Sequence, residues 1–297
     1  MHARLATYLE LMRLDRPVGT LLLLWPTLAA LWLAGDGYPP WLLVVVFAVG
    51  TFVMRSAGCV INDFADRGWD RHVERTRDRP LTAGRVSTAE ALALFVGLAA
   101  VAALLLLFLN PLTRLLALVG FGLAVLYPFM KRWTYLPQVV LGAAFSWAII
   151  MAYAAVADHV PAEAWLLFVG SLLWIVAYDT QYAMVDREDD LQVGIKSTAI
   201  LFGTADRFMV GLLQASALLT LALLGSQLEF GAFYHLGLGS AAGLFVYQQF
   251  LMRNRSRSGC FQAFRNNTWV GFALFAGVVL ETTAPAAAAL FGAGSAS

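Results

Sequence analysis

Asp179-Thr180-Gln181-Tyr182-Ala183-Met184-Val185-Asp186-Arg187-Glu188-Asp189-Asp190-Leu191-Gln192-Val193-Gly194-Ile195-Lys196-Ser197-Thr198 closes a long apolar run in a chain that otherwise avoids charge. Read as helix, the stretch sets Asp179, Asp186 and Asp190 seven and four residues apart. At about 100° per residue they fall within roughly 40° of one another, a carboxylate face over three turns. An earlier stretch repeats the device: in Asn62-Asp63-Phe64-Ala65-Asp66-Arg67-Gly68-Trp69-Asp70, positions 62, 66 and 70 follow i, i+4, i+8 and share a face. Two facing carboxylate clusters repel and lose solvation unless cations stand between them. Hard oxygen donors of this kind suit Mg²⁺, which keeps several waters and is usually shared with substrate phosphates. Asp63, Glu188 and Asp189 fall off the two faces and are expected to meet solvent or loops.

Working outward, the chain is 60% hydrophobic and 13% charged, with a mean hydropathy of +0.71. A soluble domain carries about 25% charged residues, so this composition belongs to an integral membrane protein. The net charge of +1 gives no footing for nucleic acid. Cys59 and Cys260 lie far apart and form no redox or metal motif, and the four histidines are scattered. The first apolar run, Val18 to Ala34, lacks a small-x-small cleavage site and reads as a retained membrane helix. Residues 1–16 are amphipathic, with Leu5, Tyr8, Leu9 and Met12 opposite Arg4, Glu10 and Arg13.

The expected architecture is all-α, with nine transmembrane helices at 17–35, 41–62, 88–109, 112–130, 137–157, 162–184, 206–226, 231–252 and 267–291. With nine spans, all of the 20 Lys and Arg residues except Arg114 fall on one side. The positive-inside rule then makes the N-terminus cytoplasmic and the C-terminus external, with both acidic clusters on the cytoplasmic face. Two long cytoplasmic loops, 63–87 and 185–205, follow the clusters. The chain reads as one domain, 1–297, of two helical halves, 1–132 and 133–297. Their matched clusters hint at a duplication that no clear sequence identity supports. The Ala/Gly-rich tail 284–297 is expected to fray.

Several residues keep two readings on spacing alone. One acidic cluster could be a solvated helix end, but two at corresponding helix ends favour metal and diphosphate. Arginines at positions 71, 75, 77, 79 and 187 could pair phosphate oxygens or simply fix topology; Arg79 before Pro80 and Lys196 stand out as phosphate partners. Tyr127 and Lys131, i and i+4 around Pro128, serve equally as an interfacial tyrosine and a snorkelling lysine, which spacing alone favours. Arg55, two turns before Asn62, is costly inside a span and needs a structural ion pair or an anionic substrate group. A cation-coupled transporter is the alternative class, but its ionisable residues belong near the bilayer midplane.

With these residues assembled, the chain resembles the UbiA superfamily of intramembrane aromatic prenyltransferases over nearly its whole length. The resemblance runs through Arg13-Leu14-Asp15-Arg16-Pro17-Val18-Gly19, Leu24-Trp25-Pro26-Thr27, Arg55, Asn62 to Asp70, Arg75-Thr76, Arg79-Pro80-Leu81 and the Y-x-x-x-K motif Tyr127 to Lys131. Tyr178 to Gly203 is similar to members that take 4-hydroxybenzoate, and Tyr247-Gln248-Gln249 and Asn266-Asn267 agree as well. The resemblance implies a ring of nine membrane helices around a central cavity with cytoplasmic cap loops. It implies Mg²⁺ held by Asn62, Asp66, Asp70, Asp186 and Asp190, with Asp179 alongside. It implies catalytic roles for the five aspartates, Tyr127 and Lys131 near the diphosphate, and substrate binding by Arg55, Asn62, Arg79, Lys196 and Arg16, Arg55 receiving the aromatic carboxylate. The implied substrates are a polyprenyl diphosphate and 4-hydroxybenzoate, in ubiquinone biosynthesis at a bacterial inner membrane; homogentisate, dihydroxynaphthoate or haem are alternative acceptors. No obligate protein partner is implied.

Overall fold

Helix boundaries follow local chemistry. Ser87 and Glu90 form a reciprocal capping box at the start of one helix, and Asn110 accepts from the Thr113 amide ahead of another that begins with Pro111. Gly194, at φ 75°, ends the longest interior helix in the left-handed conformation that glycine adopts without steric cost. The computed structural model describes residues 2–292, with side chains from Arg4 to Ala284. Its α-helices are α1 His2–Leu11, α2 Val18–Ala34, α3 Trp41–Asp66, α4 Thr88–Leu105, α5 Pro111–Met130, α6 Pro137–Ala157, α7 Ala162–Val193, α8 Thr198–Phe202, α9 Asp206–Gln227, α10 Ala232–Leu251 and α11 Arg257–Gly292. No strand occurs among the described residues.

Six of these helical stretches are long and apolar enough to cross a membrane: those of α3, α4, α5, α6, α7 and the run from α8 through α9. The 17-residue α2 is a shorter apolar helix. In order, α2, α3, α5, α6, α7, α9, α10 and α11 pack as successive neighbours, and α11 returns against α2. Leu31, Phe47, Ile149, Tyr153, Leu221 and Tyr234 belong to one continuous apolar core. By contrast, only 6% of the apolar window of α4 and 11% of that of α5 are buried, against 56% for α3. These two helices therefore present most of their side chains outward, as a hydrocarbon solvent permits.

The structure corrects several expectations. The acidic run 185–190 is not a loop; α7 continues through it to Val193. The i, i+4, i+8 repeat is not one helix face, because α3 ends at Asp66 and Asp70 begins a 3₁₀ turn, Asp70–His72. On α1, Leu11 is the fully buried residue, packing with Val60, Leu81 and Ala91, while Leu5 and Leu9 are exposed. Arg114, the expected topological exception, is fixed locally: its guanidinium donates to the carbonyls of Leu106, Leu107 and Leu109 at the end of α4. In the tail expected to fray, α11 stays helical to Gly292, and 293–297 lie outside the described residues.

A chain of buried amides joins α7, α9, α10 and α11. Gln181 and Gln214 both donate to Gln248 Oε1, and Gln248 donates to Asn266. Asn267 donates to Gln181 at 2.8 Å and accepts from the Trp174 indole at 2.8 Å. Polar side chains of this kind hold helices together where apolar packing gives little preference over lipid. Asn267→Ala would strand the Trp174 donor and the Gln181 acceptor, and is expected to cost on the order of 1–3 kcal/mol. Thermal melting of the detergent-purified variant against wild type measures it; an unchanged midpoint would show the network carries no stability.

Candidate active site

A cavity of about 1030 Å³ opens among α2 to α7, α11 and the segments after α3 and α7. All twelve residues singled out from the sequence as site residues line it: Arg16, Arg55, Asn62, Asp66, Asp70, Arg79, Tyr127, Lys131, Asp179, Asp186, Asp190 and Lys196. The polar end is formed by the last turn of α3, the 3₁₀ turn after it, the end of α5 and the second half of α7. The other end is walled by small and apolar side chains such as Gly50, Ala102, Ala117, Gly120, Ala148 and Met151.

Three acidic groups at the polar end, Asp66, Asp70 and Asp186, each face a base. Lys131 Nζ donates to Asp66 at 2.7 Å, and the Asn62 amide donates to the same oxygen at 3.1 Å. Arg79 Nη1 donates to Asp70 at 2.8 Å and to Asp63 at 2.9 Å. Arg75 forks onto Asp186, its Nε 2.9 Å and 3.0 Å from the two carboxylate oxygens, and its guanidinium lies 4.5 Å from the Tyr182 ring centre. Segment 67–87 thus reaches across to α7. Burial pushes the Asp70 carboxyl above its ordinary pKa; Arg79 opposes the shift, while Asp66 and Asp63 add to it.

Among the described residues, no three acidic, histidine or cysteine side chains converge on a single metal position. The donor set nevertheless fits a hard cation. Among the described residues, Asn62 Oδ1 and Asp66 Oδ1 are buried oxygen acceptors without a partner, and the buried Asp190 carboxylate makes no hydrogen bond or ion pair. Buried acceptors left unmatched beside carboxylates are the environment that an oxygen-seeking divalent ion satisfies.

The remaining predicted residues divide. Asp179 lines the cavity with no hydrogen bond or ion pair to its carboxylate. Arg55 donates to Cys59 Sγ, leaves its buried Nε unpartnered, and lies hard against Gly19, where any Cβ would collide with the guanidinium. Tyr127 lines the wall beside Lys131. Arg16 is exposed at the rim and paired with Asp15. Lys196 is drawn toward the turn after α5, 3.4 Å from the Trp133 carbonyl and 5.5 Å from the Tyr135 ring centre.

Sequence reasoning misplaced Asp63. It is 1% exposed and accepts from Arg13 Nη2 at 2.6 Å as well as from Arg79. Its pairing with residues 50 and 16 positions away left no periodic signal to find. Asp189 does meet a loop, through the Glu74 amide, and it also pairs with Arg257. Tyr178, with a buried unpartnered hydroxyl on the cavity wall, was not singled out either.

A polar, carboxylate-rich end and an apolar end thus share one cavity inside a bundle of apolar helices. The chain belongs to the UbiA prenyltransferase family, whose model matches residues 23–276. It is 60% identical over 282 residues to the 4-hydroxybenzoate octaprenyltransferase of Marinobacter nauticus, covering 95% of this chain and 96% of that one. In fold it is similar to a UbiA homologue from Aeropyrum pernix solved in apo form, with a TM-score of 0.77 at 25% identity, covering 88% and 97% of the two chains. It is also similar to a UbiA homologue from Archaeoglobus fulgidus bound to GPP and Mg²⁺, with a TM-score of 0.70 at 17% identity and coverage of 93% and 99%.

Because the buried Asp63 pairs with Arg13 and Arg79, Asp63→Asn is expected to destabilise by about 3–5 kcal/mol, the range for breaking a buried charge pair on one side. Segment 67–87 would loosen with it. Tryptic cleavage within that segment, timed alongside a thermal melt, tests this; wild-type rates in both would refute the anchoring role.

Proposed function

We propose that this chain transfers a polyprenyl group from polyprenyl diphosphate to 4-hydroxybenzoate, at the ring carbon meta to the carboxylate, releasing diphosphate in ubiquinone biosynthesis. The observation that carries the reading is the single cavity with charged and apolar ends. The name of the Marinobacter relative at 60% identity supports the acceptor and an eight-unit prenyl chain. The nine-span topology remains our reading: α2, the six long apolar stretches, α10 and α11, with segments 67–87 and 194–197 as caps. So does the placement in a bacterial inner membrane, N-terminus cytoplasmic and C-terminus periplasmic, following the one-sided distribution of Lys and Arg. Each helical half contributes one acidic motif.

Asn62, Asp66, Asp70, Asp186 and Asp190 would hold Mg²⁺, which when bound offsets the diphosphate charge and eases departure of the leaving group. Lys131, Arg75 and Arg79 already lie against these carboxylates and are placed to donate to phosphate oxygens. As the allylic C–O bond breaks, the electron pair leaves with the diphosphate. The apolar chamber keeps water from the resulting cationic carbon. Arg55, with its unpartnered Nε, takes the acceptor carboxylate and turns the ring so that the carbon ortho to the hydroxyl faces the prenyl carbon. A C–C bond forms and the ring proton leaves to a carboxylate. Asp179 suits that role better than Asp186, because Asp186 is already engaged by Arg75.

The test is transfer of labelled 4-hydroxybenzoate into lipid-soluble product by membranes carrying the protein, with polyprenyl diphosphate and Mg²⁺ and an EDTA control. Product is expected to require both, and Asp66→Ala or Asp186→Ala to abolish it with the protein still inserted. Normal turnover in either variant would overturn the assignment of the two motifs. Gly19→Ala crowds Arg55, and is expected to raise KM for 4-hydroxybenzoate about tenfold, roughly one well-made charge-assisted contact, while leaving KM for the diphosphate unchanged. An equal rise in both would remove Arg55 from acceptor binding.

A further inference from the structure

The turn that aims Asp66 and Asp70 into the cavity aims their neighbours out of it. Arg67 and Arg71, each one position later, line a separate pocket of about 520 Å³ on the outer side of the α3 terminus. The same alternation recurs at the end of α5. There Lys131 turns inward to Asp66, and Arg132 turns outward to this pocket. No acidic side chain lines it.

These three arginines differ from the others nearby. Arg13, Arg75, Arg79 and Arg85 each hold a carboxylate. Among the described residues Arg67, Arg71 and Arg132 hold none. Arg67 donates only to the Phe64 carbonyl and lies 4.3 Å over the Phe64 ring. Arg132 donates to the Ala65 carbonyl and lies 5.0 Å from the Trp69 ring centre, which fixes its guanidinium at the pocket. Thr82 adds a buried hydroxyl with no partner. Three uncompensated guanidinium groups around one hollow repel each other unless an anion joins them. Trp69 beside them, just past the end of an apolar span, is the side chain enriched where hydrocarbon meets headgroups.

We propose that Arg67, Arg71, Arg132 and Thr82 form a second phosphate-binding site, outside the prenyl-transfer cavity and separated from it by the Asp66–Asp70 turn. The ligand class is a phosphate ester or free phosphate. An anionic phospholipid headgroup and soluble phosphate share that chemistry, and the experiment separates them. The assignment stands independently of the reaction proposed above, because it rests on groups that face away from that cavity.

The test uses full-length protein in nanodiscs of phosphatidylcholine with or without phosphatidylglycerol. Lipid retained after gentle release is counted by native mass spectrometry, and labelled orthophosphate binding is measured by equilibrium dialysis. Arg67→Gln with Arg71→Gln is the main variant, since both side chains are exposed and neither bridges helices. Arg132→Gln and the paired Lys replacements accompany it, with a thermal melt for each. Preferential retention of phosphatidylglycerol, falling about fivefold for each arginine neutralised and kept in the Lys variants, supports the site and names a lipid headgroup. Orthophosphate binding lost in the Gln pair, without lipid preference, supports the site and names a soluble anion. Retention and binding equal in wild type and the Gln pair, or absent from wild type, would overturn it.

Discussion

The structure depends on how buried carboxylates are partnered inside a membrane bundle. Taking a carboxylate out of water costs several kcal/mol, and only a close, well-directed partner offsets it. Here the partners come from other elements: Lys131 from α5 for Asp66, Arg79 from the loop for Asp70 and Asp63, Arg75 from the loop for Asp186. Matching charges across elements fixes where α3, α5 and α7 stand relative to one another. The unmatched remainder, Asp190, Asp179 and one oxygen each of Asn62 and Asp66, is concentrated at the cavity. Stability is thus spent around the site so that a few acceptors inside it stay available.

The same logic explains the rest of the polar interior. Away from the cavity, part of the buried polarity is neutral, the amide chain from Trp174 through Asn267, Gln181 and Gln248, and part is charged, Asp206 being fully buried and accepting from Arg187 and Arg255. Neutral amides hold helices together without net charge to compensate, whereas the Asp206 carboxylate needs the two arginines that hold it.

What the sequence made legible follows from periodicity and hydropathy. The apolar runs gave six membrane-length helices close to where they stand, and the two acidic spacings identified five aspartates that do line one cavity. Hydropathy misled at 185–190, because a charged run resembles a loop when the polar chamber that solvates it is unseen; α7 passes straight through. Periodicity misled at Asp63, which breaks the i, i+4 face and is the most deeply held acid of its motif. The second phase of that motif puts an arginine one step after Asp66 and after Asp70. It reads as topology until a turn at Asp66 shows which way each phase points.

The outer panel of the bundle bears on why this chemistry is membrane-embedded. α4 packs on α3 and α5 on α6, while between α4 and α5 the Phe95 and Phe121 rings stack at 6.3 Å. Small residues on the cavity side of this panel, Ala99, Ala102, Ala103, Ala117 and Ala124, leave room rather than fill it. Outside, Val96, Leu104, Leu107 and Leu115 are exposed. A panel apolar on both faces separates two hydrocarbon-like spaces, so a polyprenyl tail crossing between them would lose no hydration and gain little from burial. Binding selectivity for the proposed donor then rests on its diphosphate head, at the one end of the cavity where burial and charge make each contact count.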